Sequence, residues 1–389
     1  MKPLAGDETK GAKRARELTS FIVMDVLEKA GEMAARGIDI VHLEVGESDF
    51  DTPTCVTEAV CRAMADGFTH YTHSLGIRPL REAICADYME KYGVSVDPDQ
   101  VIVTAGSSPA IFMACAALLE AGDEVVLSDP HYACYPNFVN FLDARCTSVR
   151  VCEEDGFQLR PEAIQERLTP RTRGIFINSP ANPTGTLLSA ERMEAIAGMG
   201  PYVLSDEIYH GLVYEGKAHS ILEFSDRAFV FNGFSKLYAM TGLRLGYLIA
   251  PKPFVRSIQK IHQNFYISAN AAVQKAGIAA LTQAGADVAR MVATYDERRR
   301  FMILRLKEIG FNLPAEPTGA FYVFVNAKHL SEDSYALAFD ILEKAHVGVT
   351  PGIDFGAGGE GFLRFSYANS LENIREGLDR LEAYVRRQG

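Results

Sequence analysis

From about residue 54 to residue 290, short apolar runs alternate with stretches of helical periodicity, and this alternation restricts the fold more than any other feature of the chain. The runs include VIVTAG (101–106), EVVLSDP (124–130), RGIFINSP (173–180), YVLSDE (202–207), AFVFNG (228–233) and GYLIAP (246–251). Helical stretches punctuated by Gly and Pro separate several of them, which argues a mostly parallel sheet covered by helices, an α/β fold. Polar residues collect at the ends of these runs, and open α/β sheets bind ligands at the carboxyl ends of their strands.

The flanks follow another pattern. Residues 17–36 carry apolar positions at helical spacing, and IVHLEVG (40–46) looks like a strand ending in a turn. From about 291 a long charged helix runs through RRRFMILRLKEIG, followed by strand AFYVFVN (320–326), a helix near 333–345, strand FLRFSYA (362–368) and a closing helix. These pieces form a smaller α+β domain. A chain of 389 residues is long enough for two cores, and the expected division is 46–290 for the large domain, with 1–45 and 291–389 for the small one.

Composition removes several classes. A formal net charge of −11 argues against a general nucleic-acid binder, which needs a basic surface. No run of about 18 apolar residues suggests a membrane span. The polar start MKPLAGDETKGAKRAREL lacks the apolar core of a secretion signal. The 7 cysteines are odd in number and form no CxxC pair, so disulfide and zinc readings are weak and a reduced cytoplasmic protein is expected.

Within NGFSKLYAMTGLRLGY (232–247), Lys236 and Arg244 stand among apolar, aromatic and glycine residues otherwise suited to a core. Such a lysine either snorkels to the surface or is desolvated, and desolvation favours a neutral amine able to attack a carbonyl. Arg244 cannot lose its charge and needs an anion, for which a phosphate suits its fork; Gly242 and Gly246 would allow close approach. TAGSSPA (104–110) opens a helix after a strand, so its free N–H groups and the hydroxyls of Ser107 and Ser108 either cap the helix or meet an anion. Asp206 and Tyr209, in YVLSDEIYH, sit at a strand end, where a carboxylate either caps or holds a protonated ring nitrogen. Tyr132 in DPHYACYP is a core tyrosine or a stacking one, and Asn182 in NSPANPTG precedes a proline, leaving its amide free to face a cleft.

Taken together, in this order and spacing, SPANPTG, SDEIY and SKLYAMTGLRLGY resemble the fold type I, class I/II aminotransferases that depend on pyridoxal 5′-phosphate. The resemblance extends from LEVGESDFDTP (43–53) to EGFLRFSYA (360–368). It implies a mostly parallel seven-stranded sheet in the large domain beside the α+β domain. It also implies that Lys236 forms the Schiff base and moves the proton, that Asp206 pairs with the pyridine nitrogen, and that Tyr209 and Asn182 bond the ring oxygen. Ser107, Ser108, Ser235 and Arg244 would hold the phosphate, and Tyr132 would stack on the ring. Arg364, assisted by the Gly46 N–H, would grip the substrate carboxylate. Tyr71 would reach the phosphate of a neighbouring subunit, making a homodimer with shared active sites. Cis peptides at Asp129–Pro130 and Asn182–Pro183 are implied as well.

Two departures stand out. The family's usual GEPDF is GESDF here, with Ser48 for proline, and Ser108 replaces a lysine that reads acidic substrates in one bacterial subgroup. Phe21 and Ile22 fall where the family covers the substrate side chain, so an apolar or aromatic amino donor is expected, with a 2-oxo acid such as 2-oxoglutarate as acceptor. A C–S β-lyase of the cystathionine-lyase type shares these residues and is the alternative. A DNA-binding regulator on the same fold is disfavoured, because only about 40 residues precede the first strand and they hold no basic winged-helix segment. The glycine run GAGGEG (356–361) leads into a strand rather than linking a strand to a helix, which argues against a dinucleotide site.

Overall fold

The computed structural model describes residues 11–313 and 315–388. Residues 1–10 of the segment expected to complete the small domain, with Pro314 and Gly389, lie outside the described residues. In chain order the strands are β1 (Val41–His42), β2 (Val101–Thr104), β3 (Glu124–Asp129), β4 (Arg145–Arg150), β5 (Thr172–Asn178) and β6 (Tyr202–Asp206). There follow β7 (Ala228–Gly233), β8 (Gly246–Ile249), β9 (Tyr322–Asn326), β10 (Val347–Gly348), β11 (Thr350–Pro351) and β12 (Phe362–Ser366).

Strands β2 to β8 form a seven-stranded sheet in the order β2-β8-β7-β6-β5-β3-β4. It is mixed but mostly parallel: β8 runs antiparallel to both of its neighbours, and the other pairings are parallel. Successive side chains point to opposite faces. Ile102, Leu127, Phe176, Leu204 and Phe231 pack on one side with Ile111 and Met113 of the helix Ser107–Leu118. Val101, Val126, Ile175, Val203 and Val230 pack on the other. Burial on both faces explains the unbroken apolar runs. Strand β4 lacks such a run because RCTSVR leaves Arg145, Ser148 and Arg150 exposed, whereas β2 at the other edge of the sheet is buried throughout.

A second sheet, β11-β12-β9, is antiparallel, and β1 pairs in parallel with β10. Ser366 N–H donates to the Leu43 carbonyl at 2.7 Å, which stitches the N-terminal segment to the sheet carrying Arg364. The opening helix is Ile22–Ala34, shorter than its periodicity suggests, and it buries Val26, Ala30 and Met33 against Leu342. The helix Gly285–Ile309 runs unbroken across the boundary expected at position 290. No helix among the described residues is long and apolar enough to cross a membrane.

The peptides Asp129–Pro130 and Asn182–Pro183 are cis, as is Ser179–Pro180. The glycine run at 356–361 is a packing loop. Gly358 N–H donates to Asp129 Oδ1 at 2.6 Å, and a Cβ at Gly356 or Gly358 would strike that carboxylate. Parallel pairing of β5 with β6 sets Asn178 beside Asp206, at the carboxyl ends of the central strands where the site forms.

Candidate active site

Lys236, Asp206, Tyr209, Asn182, Ser107, Ser108, Tyr132, Arg244, Gly46, Arg364 and Phe21 line one cavity of about 300 Å³. Lys236, in the turn after β7, is half-buried, and its Nζ donates to the Gly46 carbonyl at 2.6 Å. Burial first, and then the charge of Arg364, lowers its pKa to about 8; Glu47 and Asp206 pull the other way. Gly46 admits no side chain, since a Cβ there would run into the Tyr322 hydroxyl.

Asp206 closes β6 and is buried. Tyr135 OH donates to its Oδ2 at 2.7 Å and Ile208 N–H to its Oδ1 at 3.2 Å. Burial raises its pKa to about 6 against these two hydrogen bonds and the Lys236 charge. Tyr209 shares a hydrogen bond of 2.8 Å with Tyr322, whose ring it meets at 80°. Burial pushes the Tyr209 phenol well above its ordinary pKa.

Arg364 lies on β12, the central strand of its sheet, and only 2% of it is exposed. Its Nη1 donates to Asn182 Oδ1 at 2.8 Å, and its Nη2 donates to the Glu44 carbonyl at 2.6 Å and Thr350 Oγ1 at 3.1 Å. The guanidinium carbon stands 4.3 Å from the Tyr322 ring centroid. Its Nε is buried with no hydrogen-bond partner among the described residues. A buried donor left in this state costs free energy and is suited to an acceptor brought by a ligand.

The opposite end of the cavity is built from backbone. Gly106, at φ 97°, precedes the helix Ser107–Leu118, and a Cβ on it would lie 2.5 Å from Arg244 Nη2. A Cβ on Gly246 would lie 2.6 Å from the Gly106 carbonyl carbon and 2.8 Å from Ser107 N, so β8 passes directly against the helix start. Arg244 is exposed at the cavity lip rather than in the core, with φ 54° and its Nη1 donating to the Thr241 carbonyl. Gly242 faces open space and contributes no close approach.

Three residues singled out from the sequence lie elsewhere. Ser235 is buried but does not line the cavity. Ile22 also stays outside it; its N–H donates to Asp354 Oδ1 at 2.9 Å, and Val23, Met24 and Leu27 face the cavity instead. Tyr71 is 81% exposed. Sequence reasoning passes over Tyr322, Tyr135 and Asn178. The two tyrosines sit in segments that look like core, whereas Asn178, a polar residue at the end of a strand, gives a usable signal.

The family model described as aminotransferase class I and II matches residues 38–381. The chain belongs to that family. It is 40% identical over 378 residues to the (5-formylfuran-3-yl)methyl phosphate transaminase of Methanocaldococcus jannaschii, covering 96% of this chain and 99% of that one. It is 38% identical over 381 residues to the aspartate aminotransferase of Pyrococcus horikoshii, covering 95% and 96%. A crystal structure of a Thermus thermophilus aspartate aminotransferase double mutant superposes with a TM-score of 0.92 at 36% identity, covering 96% of this chain and 99% of that one.

The aminotransferases of this family use pyridoxal phosphate, and the cavity of this aminotransferase fits such a group. It offers an amine of lowered pKa to an aldehyde, a buried carboxylate, and a glycine-lined helix start beside a guanidinium, where an anion gains N–H donors and a favourable dipole.

Proposed function

We propose that this aminotransferase takes the amino group of an L-amino acid with an apolar or aromatic side chain and passes it to a 2-oxo acid such as 2-oxoglutarate, by a ping-pong mechanism. One observation carries this reading. The Lys236 amine, with its pKa lowered to about 8, shares a cavity with the buried Arg364 guanidinium, whose Nε has no partner among the described residues. The first suits a carbonyl and the second a carboxylate.

When bound, pyridoxal phosphate supplies an electron sink for the bond broken at the amino acid α-carbon. Lys236 would hold the cofactor through Nζ, and the same nitrogen, when free, would serve to move the proton. Asp206 would pair with the ring nitrogen, Tyr209 and Asn182 would serve the ring oxygen, and Tyr132 would cover the ring. Ser107, Ser108 and Arg244 would take the phosphate, while Arg364 and the Gly46 N–H would take the substrate carboxylate. Phe21, Val23, Leu27 and Ile111 give the remaining wall an apolar character that favours an apolar donor.

The working unit is a homodimer with shared active sites, in a reducing, cytoplasmic setting that suits the seven unpaired cysteines. Support for the dimer comes from an exposed apolar surface, with Phe68 39%, Phe265 71% and Ile267 46% exposed, beside the loop of Tyr71. Thr72 N–H on that loop donates to Ser268 Oγ at 3.4 Å.

Borohydride reduction of the cofactor-loaded protein followed by peptide mapping tests the centre of this reading. The label is expected on Lys236, and a label on any other residue overturns it. Bleaching of the visible absorption band by a panel of amino acids identifies the donor, with phenylalanine, tyrosine and leucine expected to exceed aspartate. Pyruvate and ammonia released from a cysteine conjugate without a 2-oxo acid would instead indicate a β-lyase. Mixing Lys236→Ala with Tyr71→Phe subunits tests the shared site: hybrids should regain activity that neither variant has alone.

A further inference from the structure

Asp206 is oriented by a residue that does not itself line the cavity. Tyr135 lies in the helical turn Tyr135–Asn140 after β3 and is 2% exposed. Its hydroxyl donates to Asp206 Oδ2 at 2.7 Å, while the Ile208 N–H occupies Oδ1. The Tyr135 ring stacks on Phe176 of β5, with centroids 4.6 Å apart and planes at 15°. The same ring meets Tyr132 edge-on at 5.2 Å and 78°. One side chain therefore touches both the carboxylate at the cavity floor and an aromatic ring in the cavity wall, and is clamped against the sheet core.

We infer that Tyr135 is a positioning residue for transamination: its hydroxyl aims the Asp206 carboxylate and keeps it ionised, while its ring braces Tyr132. The inference rests on the reading of Asp206 as the partner of the pyridine nitrogen. Desolvation drives a buried carboxylate towards its neutral form. Of the interactions that oppose this at Asp206, the Tyr135 hydrogen bond is the largest. A neutral carboxyl carries its own proton, and only the ionised form gives a protonated ring nitrogen a full charge partner. Burial holds the Tyr135 phenol far above its ordinary pKa, so it remains a donor throughout the neutral range.

Tyr135→Phe keeps both ring contacts and removes only the donor. The holoprotein is titrated through the neutral range while its visible absorption band is followed, beside kcat and the KM for the amino donor. A less ionised Asp206 leaves less positive charge on the ring, so the nitrogen joined to Lys236 should hold its proton to higher pH. The midpoint is expected to rise by about one unit, the scale of one hydrogen bond to a charged group. Turnover should fall roughly tenfold with KM nearly unchanged, the pattern of a contact that matters mainly in the transition state. In an Asp206→Asn background the same change should shift nothing further. An equal shift in both backgrounds would mean packing alone, and no shift in the parent would also overturn the inference. If Asp206→Asn by itself leaves the titration unaltered, the underlying reading of Asp206 fails instead. Should Tyr135→Phe not fold, 3-fluorotyrosine at position 135 offers a stronger donor of nearly the same shape; it should move the midpoint down, and an unmoved midpoint rejects the proposal.

Discussion

Arg364 Nη1 donates to Asn182 Oδ1 across 2.8 Å, joining a strand of the small sheet to the loop after β5. A guanidinium has only donors, so the Asn182 amide must turn its oxygen to Arg364 and keep its nitrogen as a free donor. The Asn182 backbone is fixed in turn by its own N–H on Asn178 Oδ1 at 2.7 Å. The proposed carboxylate grip and the proposed ring-oxygen contact thus share one amide. A substrate carboxylate that draws Arg364 forward acts on Asn182 at the same time.

Replacing Arg364 with lysine keeps the charge and loses the fork that serves Asn182, Glu44 and Thr350 together. KM should rise for both amino acid and 2-oxo acid, by roughly 10- to 100-fold for one or two charged hydrogen bonds. Steady-state kinetics with each substrate varied in turn checks this. A rise confined to one substrate would remove Arg364 from the shared carboxylate site.

Covalent capture of the cofactor should follow the titration of Lys236. Its pKa is lowered to about 8, so the neutral amine is scarce below that pH and dominant above it. The rate at which the apoprotein takes up pyridoxal phosphate should be half-maximal near pH 8 and level off above about pH 9, about two units earlier than for an ordinary lysine. Stopped-flow absorbance across a pH series reads the midpoint directly, and a rate still climbing near the pKa of a free lysine would show that Nζ is not desolvated.

The sheet and most of the cavity are readable in the chain for physical reasons, and the gaps have physical reasons too. Strands buried on both faces must be continuously apolar, so the runs ending in Asn178 and Asp206 announce themselves; β4 hides because half of its residues are exposed. Lys236 and Arg364 stand out as charges in apolar surroundings. The helix Ile22–Ala34 is recognisable as a helix, but its phase is not, and Val23 rather than Ile22 turns inward. Tyr322 and Tyr135 act through hydroxyls whose partners are distant in sequence, and as letters they cannot be told from core tyrosines.

Gly246→Ala should loosen the anion end of the cavity. The new Cβ would sit 2.6 Å from the Gly106 carbonyl carbon and 2.8 Å from Ser107 N, and backbone cannot rotate away as a side chain can. The helix start must lift off β8, carrying Ser107 with it. Overpacking of this kind costs about 1–3 kcal/mol. Both Tm and affinity for the cofactor are expected to fall, whereas Gly242→Ala, facing open space, should change neither. Equal behaviour of the two variants in a thermal melt and a cofactor titration would refute the close-approach argument.

Glu207 should make the apoprotein lose stability as pH rises through the weakly acidic range. Its carboxylate is 1% exposed, and it accepts from Ser205 Oγ, Ser220 Oγ and Ile221 N–H, each at 3.0 Å, and from Tyr88 OH at 3.2 Å. Burial outweighs these bonds and raises its pKa from 4.5 to about 7. Between those two values the folded chain binds more protons than the unfolded one, so this group's contribution is full below pH 4.5 and is lost as pH rises through 7. Neighbouring His210, lowered from 6.5 to about 3 by burial, works the other way between its own two values. Glu207→Gln retains an acceptor for the three donors at 3.0 Å, removes the titration and reverses the hydrogen bond with Tyr88, whose hydroxyl can accept from the amide nitrogen. His210 titrates in both proteins, although its Nδ1 lies 3.6 Å from Glu207 Oε2, so the difference in unfolding free energy between variant and parent reports mainly on Glu207. That difference should therefore grow in favour of the variant from pH 4.5 to 7, reaching at most about 3 kcal/mol. A difference that stays flat with pH would mean that the Glu207 carboxyl keeps an ordinary pKa despite its burial.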